Sequence, residues 1–304
     1  MNRIYWLALS FTPGIGGVTI RKLLDKFGDI ELIFNATPTE IAEVPRISLT
    51  LAQQLLSSPF DQIETELINL IDEGIDLLTW DDSEFPSNLR SVHDAPFILF
   101  MRGNLVDDDD CSVAIVGTRQ PTEKSVYIAE RMANSFAENE MMVVSGLAEG
   151  VDTAAHKGVL SFESGRTIAV LGSGIRVIHP RSNSELAERI ITSGALLSEF
   201  HPNTPPRRPQ LMARDRVISG LSKAVIVVEA GKNSGSLDTA AKAQKQGRLL
   251  YAIPGSLGTD ELIENGARVI DPNNIDMDSL VEEINNHQLI NLKQPPKPKQ
   301  SSFL

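Results

Sequence analysis

Six short apolar, β-branched runs, spaced by helix-length amphipathic segments, constrain the fold of this chain more than any other feature. They lie at 113–116 (VAIV), 142–145 (MVVS), 168–171 (IAVL), 195–198 (ALLS), 224–229 (AVIVVE) and 249–253 (LLYAI). Between most of them, at 123–139, 152–163, 184–193 and 236–247, apolar residues recur at helical spacing. A strand that is apolar on both faces must be covered on both faces, and a helix after each strand supplies the cover. The order predicts an α/β domain built on a parallel, Rossmann-like sheet.

The first 70 residues read differently. "FTPGIGGVTIRKLLDKFG" is a Pro-Gly-x-Gly turn followed by Val18, Leu23, Leu24 and Phe27 at roughly helical spacing, and "IAEVPRISLTLAQQLL" repeats the plan around Val44-Pro45-Arg46. Paired short helices of this kind resemble SAM-like or helix-hairpin-helix modules, so a small all-helical domain is expected over 1–70, ahead of the sheet domain over 71–291. Residues 75–110 contain two short apolar runs that read as strands, then the acidic loop Asp107 to Asp110, which reads as a solvated turn. The segment from Leu292, "KQPPKPKQSSFL", is proline-rich and basic, which predicts a disordered tail over 292–304 with no winged-helix domain after it.

The formal net charge of −12 argues against a surface coated in positive charge for nucleic acid. Charge is unevenly placed, however. Four arginines and one acid lie between Arg207 and Arg216, whereas 258–287 holds eight acids against Arg268. An acidic chain with one basic segment suits a focused anion site. Cys111 is the only cysteine and cannot form an internal disulfide. No apolar stretch approaches the roughly 20 residues of a membrane span, and no cleavage-like site follows the short apolar N-terminus. A soluble, cytoplasmic protein is expected.

Almost every strand runs into small residues: Gly117-Thr118-Arg119, Ser145-Gly146, Gly172-Ser173-Gly174 and, shortly after Glu229, Ser234-Gly235-Ser236. In an open parallel sheet these turns share the carboxyl edge, where ligands bind. Glycine lets backbone N–H groups approach an anion, and the next helix presents its positive end. The four turns together predict a phosphate-binding crevice. "GSG" at 172–174 is not the dinucleotide fingerprint, since position 177 is Val and Glu199 lies 25 residues beyond Gly174. A phosphate-loop lysine motif is absent as well. His156 with Ser145 and Asp152 suggests a triad, but "SGLAEG" lacks the nucleophile-elbow spacing, so His156 reads as a structural hydrogen-bonding group near a helix start. His93, His179, His201 and His287 show no metal-ligand spacing. The expectation is no catalytic residue, no metal and no cofactor. Arg214-Asp215-Arg216 opens a short helix at the crevice edge. Arg214 or Arg216 suits a phosphate through its planar fork, the alternative being an internal Arg–Asp pair.

"VAIVGTRQPT", "VVSGLAEGVDTAAHKGVL", "GRTIAVLGSGIRVIHPRSNSEL", "GALLSEF", "RDRVISGLSKAVIVVEA", "SGSLDTAAKAQKQGR" and "IPGS…GTDELIENGA" together resemble the DNA-processing protein A (DprA/Smf) family. They occur in family order across about 113–270, and 1–110 resembles the family's helical leader and connector more loosely. The resemblance implies a non-catalytic protein that binds incoming single-stranded DNA, protects it, forms a homodimer and loads the RecA recombinase in natural transformation. It further implies that Arg119, Arg214 and Arg216 contact DNA phosphates and that Asn183 belongs near the pocket. Three departures stand out: Arg-Asp-Arg in place of the usual Arg-Asn-Arg, a shorter loop between "IPGS" and "ELI", and Asp238 where an apolar residue is usual.

Two other functions compete with a single-strand-binding recombination mediator. A Rossmann-like nucleotide sensor, as in phage defence, uses the same glycine turns but no basic track leading out of them. A nucleoside-monophosphate phosphoribohydrolase needs P-G-G-x-G-T-x-x-E. "IPGSLGTDEL" has Ser256 for the second glycine, and Glu261 falls two residues after Thr259 instead of three.

Overall fold

The computed structural model describes residues 2–289, apart from the side chains of Asp107 and Asp108, and all six predicted strands are formed within it. The expected tail over 292–304 lies outside the described residues. The described chain forms two compact units, 2–85 with 90–100 and 86–89 with 101–289.

The first unit is a set of short helices: α1 (Arg3–Ser10), α2 (Gly17–Phe27), α3 (Ile30–Asn35), α4 (Pro38–Ala42), α5 (Leu49–Leu56) and α6 (Phe60–Asp72), followed by β1 (Asp76–Thr79). Helices this short are marginal alone and depend on caps and packing. Asp29 caps α3, Thr37 and Glu40 form a capping box on α4, and Ser48 caps α5. Trp6 is fully buried and packs edge-on to Trp80 with ring centroids 6.4 Å apart, while its Nε1 donates to Asp81 Oδ2 at 2.7 Å. The chain leaves this unit through α7 (Ser87–Arg90) and β2 (Ile98–Gly103).

In the second unit β3 (Ser112–Val116), α8 (Glu123–Glu138), β4 (Met142–Ser145), α9 (Val151–Val159), β5 (Thr167–Val170), α10 (Ser184–Ser193) and β6 (Gly194–Ser198) alternate as predicted. They are followed by α11 (Arg208–Leu221), β7 (Ala224–Val227), α12 (Ser236–Lys245), β8 (Leu249–Ala252), α13 (Leu257–Glu264), β9 (Arg268–Val269) and α14 (Met277–Asn286). The strands stand in the order β6-β5-β4-β3-β7-β8-β9, and every pair is parallel. The chain moves outward from β3 to β6, crosses back through α11 and continues outward from β7. The order therefore reverses between β3 and β7, which is the place where an open α/β sheet leaves a crevice. Strands β3 to β8 are buried along their whole length, as their unbroken apolar sequence requires.

Two sequence expectations need correction. The helix carrying Arg214 is not short: α11 runs for 14 residues, with Pro209 in its first turn. The acidic stretch 107–110 is not simply solvated, because Asp109 forms a two-point pair with Arg166 at 3.0 and 3.0 Å. Its Oδ2 also accepts from Val106 N, so the carboxylate holds the turn before β3.

Helices α8 and α9 touch most closely at Gly158, where an added Cβ would stand 2.2 Å from the carbonyl oxygen of Glu130. Backbone cannot yield as a side-chain tip can. Gly158→Ala is expected to cost about 1–3 kcal/mol through forced separation of the two helices. A thermal melt checks it, and an unchanged Tm would show that the helices separate freely.

Candidate nucleic-acid interface

The turns after β3, β4, β5 and β7 converge as the sequence predicted, and they wall two adjoining cavities of about 710 Å³ and 330 Å³. Gly117, Thr118, Arg119 and the Ser234-Gly235-Ser236 turn line the larger one, on both sides of the switch point. Gly146, Gly172 and Ser173 line the smaller. Arg119, Ala148, Leu211 and Arg214 border both. Close approach makes this wall possible: Gly150 sits at φ +81°, and a Cβ there would lie 2.3 Å from the Thr118 carbonyl oxygen. The backbone of 148–151 thus presses directly against the turn that carries Arg119.

Four expected residues line neither cavity. Ser145 is fully buried and its hydroxyl donates to Ile115 O at 2.7 Å. Gly174 is packed against the backbone of His201 and Pro202. Asn183 is buried, with Nδ2 donating to Leu147 O at 2.9 Å and Thr153 Oγ1 at 2.8 Å. Arg216 pairs with Glu199, Nη2 reaching Oε2 at 2.6 Å and Nη1 reaching Oε1. Each satisfies a buried or partly buried polar group of the scaffold instead of facing an open site.

Arg214 borders both cavities yet is 5% exposed, with Nε and Nη1 engaged inside. Nη1 donates to Gly146 O at 2.5 Å and Val170 O at 2.6 Å, and Nε donates to Asp215 Oδ1 at 3.1 Å. The internal Arg–Asp pairing left open by the sequence is the arrangement found. Burial pushes the Asp215 carboxyl up to about 6, against the pull of Arg214 and Lys242. Asp152, whose Oδ2 accepts from Gly146 N and Ala148 N, is likewise raised by burial, with Arg214 opposing. His156 lies in the last turn of α9, not near its start. It is fully buried, its Nδ1 stands 2.8 Å from Thr167 Oγ1, and burial holds its pKa down to about 3. Thr167 spends its hydroxyl hydrogen on Val143 O, so His156 Nδ1 is the donor and the ring is neutral. This geometry offers no activated nucleophile.

The exposed arginines at the larger cavity are Arg119, Arg207 and Arg208. Their side chains make no hydrogen bond or ion pair among the described residues. Sequence reasoning counted Arg207 and Arg208 in a basic segment but passed over them as site residues. The signal was Pro209: it fixes the start of α11, so both arginines stand at the helix entrance beside the crevice. No metal-binding group of three or more His, Cys, Asp or Glu occurs among the described residues.

The model of the DNA recombination-mediator protein A family matches residues 76–285, and that of the SAM-like helix-hairpin-helix tandem matches 7–58. The chain belongs to the DNA recombination-mediator protein A family. Its relatives include the protein Smf of Synechocystis sp., 34% identical over 284 residues that cover 88% of this chain and 70% of the relative. Among solved structures it is similar to the DNA processing protein A of Streptococcus pneumoniae, at 32% identity and a TM-score of 0.76, covering 88% of this chain and 94% of that one. It is also similar to the DNA processing protein A of Helicobacter pylori, a protein whose structure concerns its single-stranded DNA binding mode, at 29% identity and a TM-score of 0.61. That match covers 69% of this chain and 95% of that one. Within the family fold, the crevice at the β3/β7 switch point is where the sheet leaves backbone amides and unpaired arginines together.

Stability separates the fixed from the free arginines. Arg214→Ala strips a buried carboxylate of its partner and two carbonyls of their donor, and is expected to cost about 3–5 kcal/mol. Arg119→Ala should leave the Tm unchanged. Asp215 adds a pH dependence: its folded pKa lies above the unfolded 3.8, so its contribution is complete below 3.8 and is lost as pH rises through 6. Asp215→Asn should therefore gain stability relative to the parent chain between pH 4 and pH 7, read by denaturant titration at both. A constant difference would show that Asp215 is ionised in the fold throughout.

Proposed function

We propose that this chain is a single-stranded DNA-binding recombination mediator and not an enzyme. The observation that carries the reading is the set of unpaired arginines, Arg119, Arg207 and Arg208, on the wall of a cavity whose turns end in Gly117, Ser234, Gly235 and Ser236. Arginine forks and turn amides recognise phosphate, so these contacts carry no sequence preference of their own. In domain terms we read a helical module over 1–70 and the Rossmann-like family domain over 71–291. The division follows the matched spans 7–58 and 76–285 and not the two compact units, the first of which also takes in 71–85 and 90–100. Protection of incoming DNA, loading of a RecA-type recombinase during natural transformation and a cytoplasmic location complete the proposal. Among the described residues no helix is long and apolar enough to cross a membrane. Homodimer formation is part of the reading. Leu257 and Val269 are 75% and 56% exposed, and Val269 lies on β9 at the outer edge of the sheet, an edge that invites pairing unless covered.

The test is a salt titration. A single strand releases counterions with a slope of about −0.7 per phosphate contacted, so three arginines predict a slope near −2 for a dT twenty-mer. Arg207→Ala or Arg208→Ala should each make it shallower by a little under one unit, and Arg119→Ala should weaken binding by about 1–3 kcal/mol. A mononucleotide bound as tightly as the twenty-mer would establish a nucleotide sensor instead.

A further inference from the structure

The larger cavity is lined by Asp152, Asp215 and Asp238 as well as by arginines, but Asp215 and Asp238 pair with Arg214 and Lys242 and Asp152 is buried beside Arg214. The acid of the smaller cavity makes no ion pair among the described residues. Glu149 lines the smaller cavity as an exposed side chain, and its Oε1 accepts a hydrogen bond from Ser182 Oγ at 2.9 Å. The loop that presents Glu149 is tightly specified. Gly146 N and Ala148 N donate to Asp152 Oδ2 at 3.1 and 3.3 Å, Asn183 Nδ2 donates to Leu147 O, and Thr153 Oγ1 donates to Ala148 O at 2.7 Å. Leu147 is held at φ 60°, a backbone setting that costs an L residue about 1–2 kcal/mol. A strained setting persists only where its surroundings enforce it. The consequence here is a fixed backbone beneath Glu149, the one charged residue of 146–150.

A carboxylate in that position repels a phosphodiester, so the part of a strand that suits the smaller cavity is not its backbone. A nucleobase suits it: neutral, flat and edged with N–H groups. His179, Pro180 and Leu211 supply flat and apolar surface, and Arg119 stands at the shared border. An ionised carboxylate only accepts hydrogen bonds, which ranks the bases. Guanine presents N1–H and its amino group side by side, matching both oxygens. Adenine and cytosine offer an amino group beside an acceptor. Thymine offers one N–H between two carbonyl oxygens.

We propose that Glu149 is a specificity-determining residue, favouring guanine most and amino-bearing bases generally over thymine in the smaller cavity, with Ser182 as its positioning residue. This rests on the single-strand reading of the crevice. The experiment compares dT twenty-mers in which every third residue is dG, dA, dC or left as dT, in lithium salt to suppress four-stranded structures. The dG series should bind about five- to tenfold more tightly than dT, with dA and dC between, the low end of discrimination for an exposed bidentate contact. Glu149→Gln, which both donates and accepts, should bring all four within about twofold with an unchanged Tm, and Ser182→Ala should narrow the ratio part-way. If every twenty-mer binds alike, or Glu149→Gln keeps the ratio, the assignment to Glu149 is overturned while the crevice reading stands. If no twenty-mer binds, the crevice reading fails and the assignment with it.

Discussion

The buried guanidinium of Arg214 is the contact on which the crevice depends. At the carboxyl ends of β4 and β5 the sheet stops, and the carbonyls of Gly146 and Val170 are left beyond the last ladder bonds. Buried carbonyls need donors. Arg214 reaches in from α11 and closes both. A cation there needs its own compensation, which Asp215 gives directly and Asp152 from the far side of the loop. One side chain thus joins two strand ends, a helix and the 146–152 loop. The turns can then stand open without collapsing into one another.

That requirement divides the arginines between two kinds of work. Arg214 and Arg216 are bound to carbonyls and carboxylates, and their contribution is to the shape of the site. Arg119, Arg207 and Arg208 are exposed and make no side-chain hydrogen bond or ion pair among the described residues. For the single-strand binding proposed, phosphates that arrive at variable spacing are better met by exposed cations on a rigid floor than by a fully locked cradle. Ordering three long side chains costs entropy on binding, so affinity has to come from several contacts at once. An overall charge of −12 acts in the same direction, since it opposes indiscriminate adhesion to polyanions and leaves attraction only where the acids are sparse.

Much of this was legible in the sequence, for physical reasons that can be named. Doubly apolar strands such as 224–227 have one stable environment, so the parallel sheet followed directly, and the small residues after β3, β4, β5 and β7 marked the ligand edge. What the sequence could not show was the direction in which a side chain turns. Arg214 and Arg208 are six residues apart in one basic segment, yet one is buried at the strand ends and the other is exposed at the cavity. Residue type and spacing are alike for the two, and only the packing of α11 against the sheet distinguishes them. Ser145 and Asn183 misled for the same reason: a polar residue at a strand end serves a ligand or a stranded backbone group equally well on paper.

The departure at Asp215 takes its meaning from this arrangement. An acid beside a phosphate site looks like a handicap when it is imagined facing the ligand. In the structure it lines the larger cavity but is buried and paired with Arg214, whose Nε donates to its Oδ1. The residue's cost to an approaching strand is therefore set by what Arg214 fails to neutralise, and burial reduces even that by drawing the carboxyl toward its protonated form. An amide at the same position would keep the bond to Nε and carry no charge, leaving Arg214 a stronger field at the crevice. Asp215 thus tempers the field of Arg214 at the crevice, while Arg119, Arg207 and Arg208 stand exposed on the wall of the larger cavity.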